Sequence, residues 1–273
     1  MYVVVAAANF AHVFAAKMLG FVRSTLEPGC GIVQCSTSNN PKVESGLLED
    51  TLHRVQPVAL IGLSIRPEPS VVSAYRAAGV PMVLIDEELQ GTSMVTCDNF
   101  LGGYLAGDHL AKIGRKRVGV VSGQTGIRGG YSAVQRLVGL NKALAANGLA
   151  IADDGLIEVR HYSYEEGVEA MARFLDERRG VDAIFSAAGD ELAMGLLELA
   201  AERGVRIPEE IALVGYDDMD AALTSSPALT TIRQPLEEMA RIACHLAVNQ
   251  RTETLGKPRR VIYTPELVVR AST

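Results

Sequence analysis

Stretches such as Val118-Gly-Val-Val121 and Ile211-Ala-Leu-Val214 are apolar without interruption. A strand with one wet face alternates polar and apolar side chains, so a strand that does not alternate is covered on both faces, as in a parallel sheet packed between helices. Runs of this kind alternate with helix-length periodic segments along almost the whole chain. Strands are expected over 2–8, 30–36, 58–63 and 81–85, with helices over 10–26, 41–55 and 68–78 between them. A second series comes next, with helices over 98–113, 131–147, 163–178 and 189–203 and strands over 117–121, 156–160, 182–186 and 211–215. Gly79 with Pro81, Gly114, and Gly204 with Pro208 punctuate the helix ends. The two windings join between Gly91 and Cys97, where helix and strand signals lapse. Leu229 to Ile232 then reads as a short strand, Pro235 to Gln250 as a helix, and Val261 to Arg270 as terminal strands broken by Pro265. The fold class expected is α/β, with two doubly wound parallel-sheet lobes. If the last helix returns to the first lobe, the chain crosses more than once, giving a multi-stranded hinge and a cleft.

With 273 residues, 48% of them hydrophobic and 21% charged, the chain has enough apolar side chains for a sizeable core. Its formal charge of -6 argues against a nucleic-acid surface, which needs clustered Lys and Arg. Cys30, Cys35, Cys97 and Cys244 are scattered, with neither metal-ligand spacing nor the density of a disulfide scaffold, and point to a reducing cytoplasm. No metal and no cofactor is expected. Tyr2-Val-Val-Val-Ala-Ala-Ala8 resembles a signal-peptide core, but no basic segment precedes it, and Asn9, His12 and Lys17 interrupt the apolar character beyond it. It is read as a buried strand, and nothing in the chain reads as a membrane anchor.

Candidate site residues gather where strands end. Ile211-Ala-Leu-Val-Gly-Tyr-Asp-Asp-Met219 carries an apolar strand into a glycine and two adjacent carboxylates. In open α/β sheets, ligands bind outside the carboxyl ends of the strands. Asp217 is the candidate ligand contact and Asp218 reads as a helix cap. No nucleophile elbow or ordered Ser, His and Asp set accompanies them, so no catalytic residue is assigned and the protein is not expected to be an enzyme. Ser122-Gly-Gln-Thr-Gly-Ile-Arg-Gly-Gly130 lacks both the P-loop ending and dinucleotide spacing; it reads as a loop at the cleft rim flanked by Arg128 and Arg136, with a phosphate cradle as the weaker alternative. Arg136 is either a solvated helix residue or a donor fork for a ligand hydroxyl pair or carboxylate, set opposite Asp217. Tyr162, just past a strand, is either a ring for a flat or sugar face or a core tyrosine, while His161 beside it reads as surface. Asp190 follows Ala187-Ala-Gly189, where it caps the next helix and is a further cleft-facing candidate.

Ile211 to Asp218, Leu229-Thr-Thr-Ile-Arg-Gln-Pro235, Gly79-Val-Pro-Met-Val-Leu-Ile-Asp86, Cys97-Asp-Asn-Phe-Leu-Gly-Gly103 with His109-Leu110, and Arg136-Leu-Val-Gly139 are spread over the chain from its first third to its last. Together they resemble the LacI/GalR family of bacterial transcription regulators over essentially the whole sequence. The resemblance implies a periplasmic-binding-protein-like effector core of two lobes, a homodimer, and a cleft for a small-molecule effector, a sugar or sugar acid first, with a nucleobase left open. On it, Asp217 and Arg136 take the places of polar ligand contacts, and Tyr162 that of a packing aromatic. Gly189 stands where many members carry Asn, which removes a donor. Phe10 and Phe14 fall in the segment that lines the other side of the cleft. The lobes would be 1–96 plus 233–263 and 97–232 plus 264–273. The family places a helix-turn-helix and a hinge helix ahead of the first strand, where this chain starts; operator DNA would be read by that segment and not by this chain. A binding protein of a transport system is the rival reading, and a doubly wound enzyme a more distant one.

Overall fold

The computed structural model describes residues 1–124, 130–177, 180–249 and 257–273. The chain divides into two compact units, one formed by Met1–Cys97 with Pro235–Tyr263 and the other by Asp98–Gln234 with Thr264–Thr273. It passes from one to the other three times, at 97/98, 234/235 and 263/264.

The first unit runs β1 (Tyr2–Ala7), α1 (Val13–Thr25), β2 (Gly31–Ser36), α2 (Pro41–Val55), β3 (Ala59–Leu63), α3 (Pro69–Ala77), β4 (Met82–Ile85) and β5 (Ser93–Cys97), completed by α9 (Leu236–Asn249) and β11 (Arg260–Tyr263). Its sheet has the order β11-β5-β4-β3-β1-β2, with all five pairings parallel. The uninterrupted apolar run Val3-Val-Val5 is fully buried, as a strand covered on both faces must be. α2 begins where Asn40 Oδ1 accepts from the amides of Lys42 and Val43, with Pro41 pre-set for the first turn. Leu48, Leu52, Val71, Val72 and Tyr75 close one face of the sheet over Val4, Leu60 and Leu84. α9 packs on α1 and on β3, β4 and β5.

The second unit runs α4 (Asn99–Lys112), β6 (Val118–Gly123), α5 (Tyr131–Ala146), β7 (Ile151–Val159), α6 (Tyr164–Asp176), β8 (Ala183–Ser186), α7 (Asp190–Glu202), β9 (Ala212–Asp217), α8 (Asp220–Thr224), β10 (Thr230–Arg233) and β12 (Glu266–Val268). Its sheet order is β12-β10-β9-β8-β6-β7, parallel except for β12. The period-2 alternation of a strand divides the core in two. Val121, Ile184 and Leu213 pack under α6 and α7, whereas Val120, Phe185 and Val214 pack under α4 and α5. Because β7 lies to one side of β6 and β8 to the other, the winding reverses there, and such a reversal is where doubly wound sheets place a ligand crevice, outside the carboxyl ends of the strands.

Three elements depart from the expectation drawn from sequence. The join at Gly91–Cys97 contains a buried strand, β5, hidden by its polar residues. Those residues are satisfied internally, since Thr96 Oγ1 donates to Asp86 Oδ1 at 2.6 Å and Ser93 Oγ accepts from the Arg259 amide at 3.1 Å. β7 starts at Ile151, earlier than expected, because Asp153 and Asp154 lie exposed on an edge strand. The short helix α8 has no counterpart in the sequence pattern. Among the described residues no helix is long and apolar enough to cross a membrane.

α4 and α5 touch backbone to backbone. A Cβ on Gly103 would overlap the Arg136 carbonyl, and one on Gly139 would overlap the Phe100 carbonyl. Two members of the motifs read from sequence are thus glycines because the helices approach too closely for a side chain. Gly103→Ala is expected to destabilise by at least roughly 1–3 kcal/mol, the usual effect of overpacking a close-packed core, read from the urea midpoint. An unchanged midpoint would show that the helices separate freely.

Candidate functional site

The candidate residues of the second unit lie at the carboxyl edge of its sheet. Arg136, on the second turn of α5, is 7% exposed and so is not the solvated helix arginine that the sequence left open. Its Nε donates to Asn99 Oδ1 at 2.7 Å and its Nη1 to the Ala187 carbonyl at 2.8 Å. The guanidinium carbon lies 3.5 Å from the centroid of the Tyr216 ring, a cation–π stack. The Tyr216 hydroxyl donates to the same Asn99 Oδ1 at 3.2 Å. Asn99 is in turn placed by the start of α4, where Asp98 Oδ1 accepts from the Leu101 amide. One arginine therefore ties α4, α5, the loop after β8 and the end of β9 together, and its orientation is set by three different elements.

Asp217 ends β9 with φ 102°, a backbone conformation that disfavours an L side chain and is retained only where the surroundings enforce it. It is 7% exposed, and its Oδ1 accepts from Gln234 Nε2 at 2.6 Å. The other oxygen faces Gly189: a Cβ built there would lie 3.1 Å from Oδ2. Gly189 itself has φ 110°, so the turn after β8 is one that a larger residue would enter only with strain.

Asp190 has a different place from the one expected. It is not the cap of α7, whose N-cap is Gly189, and it presents no surface, being fully buried. Its Oδ2 accepts from the Met219 amide at 2.8 Å and its Oδ1 accepts from Thr231 Oγ1 at 2.7 Å, so it clamps the turns after β8 and β9 to strand β10. A Cβ on Gly215 would overlap Asp190 Oδ1, which explains the glycine ahead of Tyr216. Burial, reinforced by the nearby Asp217 carboxylate, pushes Asp190 up to about 8. Asp218 is likewise no helix cap. It accepts from Arg233 Nε and Arg270 Nη2, both at 2.6 Å; burial alone would raise it, and the two arginines more than offset that, leaving it below the usual carboxylate range.

Tyr162 follows β7 with φ 56° and is partly buried against the core, its hydroxyl set where a Cβ on Gly123 would clash. Burial raises it, and the Arg136 charge, close enough to act on it, lowers it. His161 is exposed. Phe10 and Phe14 belong to the first unit. Phe10 sits half-buried in the turn after β1, whereas Phe14 is a core residue of α1 alongside Ala15, Met18, Leu19 and Val22. Arg128 lies outside the described residues. Reading the sequence left Asn99, Tyr216 and Gln234 inside quoted motifs without roles. A buried arginine needs acceptors, but nothing local says that they lie 37 residues before it.

Residues 107–273 match the family model described as a periplasmic binding protein-like domain. The HTH-type transcriptional regulator CelR of Thermobifida fusca is 34% identical over 83% of this chain, which spans 63% of that protein's length. A LacI-family putative transcriptional regulator from Sanguibacter keddieii has a solved structure with TM-score 0.84 at 28% identity, covering 99% of this chain and 98% of its own. The transcriptional regulator CelR–cellobiose complex matches with TM-score 0.86 at 29% identity, over 100% of this chain and 84% of that one.

Proposed function

Because the chain belongs to the periplasmic-binding-protein-like domain family, we propose that it is the effector-sensing core of a LacI-type transcription regulator. The observation that carries this is a buried arginine and a buried, backbone-strained aspartate, both at the carboxyl edge of one parallel sheet. A guanidinium fork and a carboxylate at such an edge bind polyols and carbohydrates through directed hydrogen bonds. Asp217 and Arg136 are the effector contacts, and Tyr162 supplies an aromatic wall. Phe10, in the turn after β1, is a further candidate contact, whereas Phe14 is packed in the core of its own unit. Asp190 serves by holding the turns.

A sugar is the effector class of choice, since a relative that is 29% identical was solved with cellobiose. We read the site as one that binds and does not turn over, since its carboxylates are engaged by Gln234, Thr231, Arg233 and Arg270. Signalling works by population shift, in which a ligand that contacts one conformation better than another raises its share. A homodimer would pass that shift to a DNA-reading segment outside this chain, in the cytoplasm.

Titration calorimetry with cellobiose, a pentose, a hexose, a sugar acid and a nucleobase tests the reading. At least one sugar is expected to bind, and Asp217→Ala and Arg136→Lys to weaken it ~100-fold, the lysine because it keeps the charge and loses the fork. Unchanged affinity in both variants overturns the site assignment. Binding of the nucleobase alone overturns the sugar class.

A further inference from the structure

Gln234 is the last residue before Pro235, and its side chain turns inward with 4% exposure. Its Nε2 donates to Asp217 Oδ1 at 2.6 Å. That bond settles which way the amide faces, since a flipped amide would set its oxygen against a carboxylate oxygen. Oε1 therefore points away from Asp217. It is buried and has no hydrogen-bond partner among the described residues. A buried carbonyl without a donor is a liability that native structures tolerate mainly where something else supplies the donor. The side chain is packed inside the protein, so Oε1 is shut off from bulk water as the amide stands.

We propose that Gln234 is a specificity-determining residue of the effector site, its Oε1 accepting a hydrogen bond from one hydroxyl of the effector while its Nε2 holds Asp217. Asp217 and Gln234 then act as a two-residue reader. The carboxylate takes one effector donor through Oδ2, beside Gly189, and the amide oxygen takes a second. Ligands lacking a donor at the second point leave the amide oxygen unpaired and are rejected. The inference rests on the reading of this edge as a sugar site.

The test is calorimetry on the full chain with cellobiose and its mono-deoxy analogues, on the wild type and on Gln234→Met. In the wild type, one analogue is expected to bind roughly 10–100-fold more weakly than cellobiose, the worth of one directed hydrogen bond. In Gln234→Met that penalty should fall to about 3-fold or less, the residue of a lost directed bond, while the penalties of the other analogues persist. A Gln234 side-chain carbonyl carbon resonance that moves with cellobiose and not with that analogue gives the same reading without a variant, should Gln234→Met fail to fold. Equal penalties in both proteins, or a resonance unmoved by cellobiose, overturn the role of Gln234 and leave the sugar reading standing. A wild type that binds neither cellobiose nor any other sugar of the panel overturns both.

Discussion

Arg136→Met is expected to lower the free energy of unfolding by about 2–4 kcal/mol, the range for buried acceptors stripped of their donors. Methionine fills a similar length of helix face, so the change removes donors more than volume. The Ala187 carbonyl then has lost its 2.8 Å partner, and Asn99 Oδ1 loses the guanidinium while keeping the Tyr216 hydroxyl. The stack on Tyr216 goes with it. Apolar replacement of a buried charge is sometimes neutral, because the charge itself is costly to bury. Here the guanidinium joins α4, α5 and the turn after β8, so its loss also frees elements to move. Chemical denaturation followed by circular dichroism measures the effect, with Arg136→Lys intermediate. A loss below about 0.5 kcal/mol, within the spread of ordinary surface changes, would mean that the network is incidental to the fold.

The second large effect is a pH dependence centred on Asp190. In the unfolded chain its carboxyl titrates near ~3.9, and in the folded protein it is raised to about 8. The folded state thus holds a proton that the unfolded state releases between those values, so stability from this group is complete below pH ~4 and declines as pH rises through about 8. The slope is up to ~1.4 kcal/mol per pH unit. The protonated acid remains satisfied, since Oδ2 still accepts from the Met219 amide and the bond to Thr231 can reverse its direction. Asp218 works in the opposite sense: its depressed value stabilises the fold above the ordinary carboxylate range and is lost in acid. Asp190→Asn isolates the first contribution. Its stability relative to the wild type is expected to improve steadily from about pH 5 to about pH 8, measured by urea unfolding at each pH. A difference that stays flat across that window would show Asp190 ionised throughout.

Both effects depend on residues that the sequence made visible to different degrees. Asp217 and Arg136 could be singled out because one ends an apolar run and the other interrupts an apolar helix face. Asp190 was visible as an acid after a strand, yet its role was not, because a helix cap and a buried clamp place the same residue at the same position. What separates them is whether Thr231 and Met219, 41 and 29 residues away, reach its oxygens. The same holds for Asp218, whose partners Arg233 and Arg270 come from β10 and the chain's end. Gly103 and Gly139 read as motif letters, and only the contact of two helices shows why a side chain is excluded there.

Uninterrupted apolar runs at strand length, separated by capped helical segments, were enough to determine a parallel α/β winding, because a strand's burial is written in its own periodicity. β5 escaped that reading, since its Ser and Thr are stabilised in the interior by hydrogen bonds with neighbouring elements and not by apolarity. The site was decided by tertiary structure for the same reason. Which acid faces a ligand, which is sealed, and which is paired with arginine depends on hydrogen-bond partners brought together by folding, and local sequence carries no record of them.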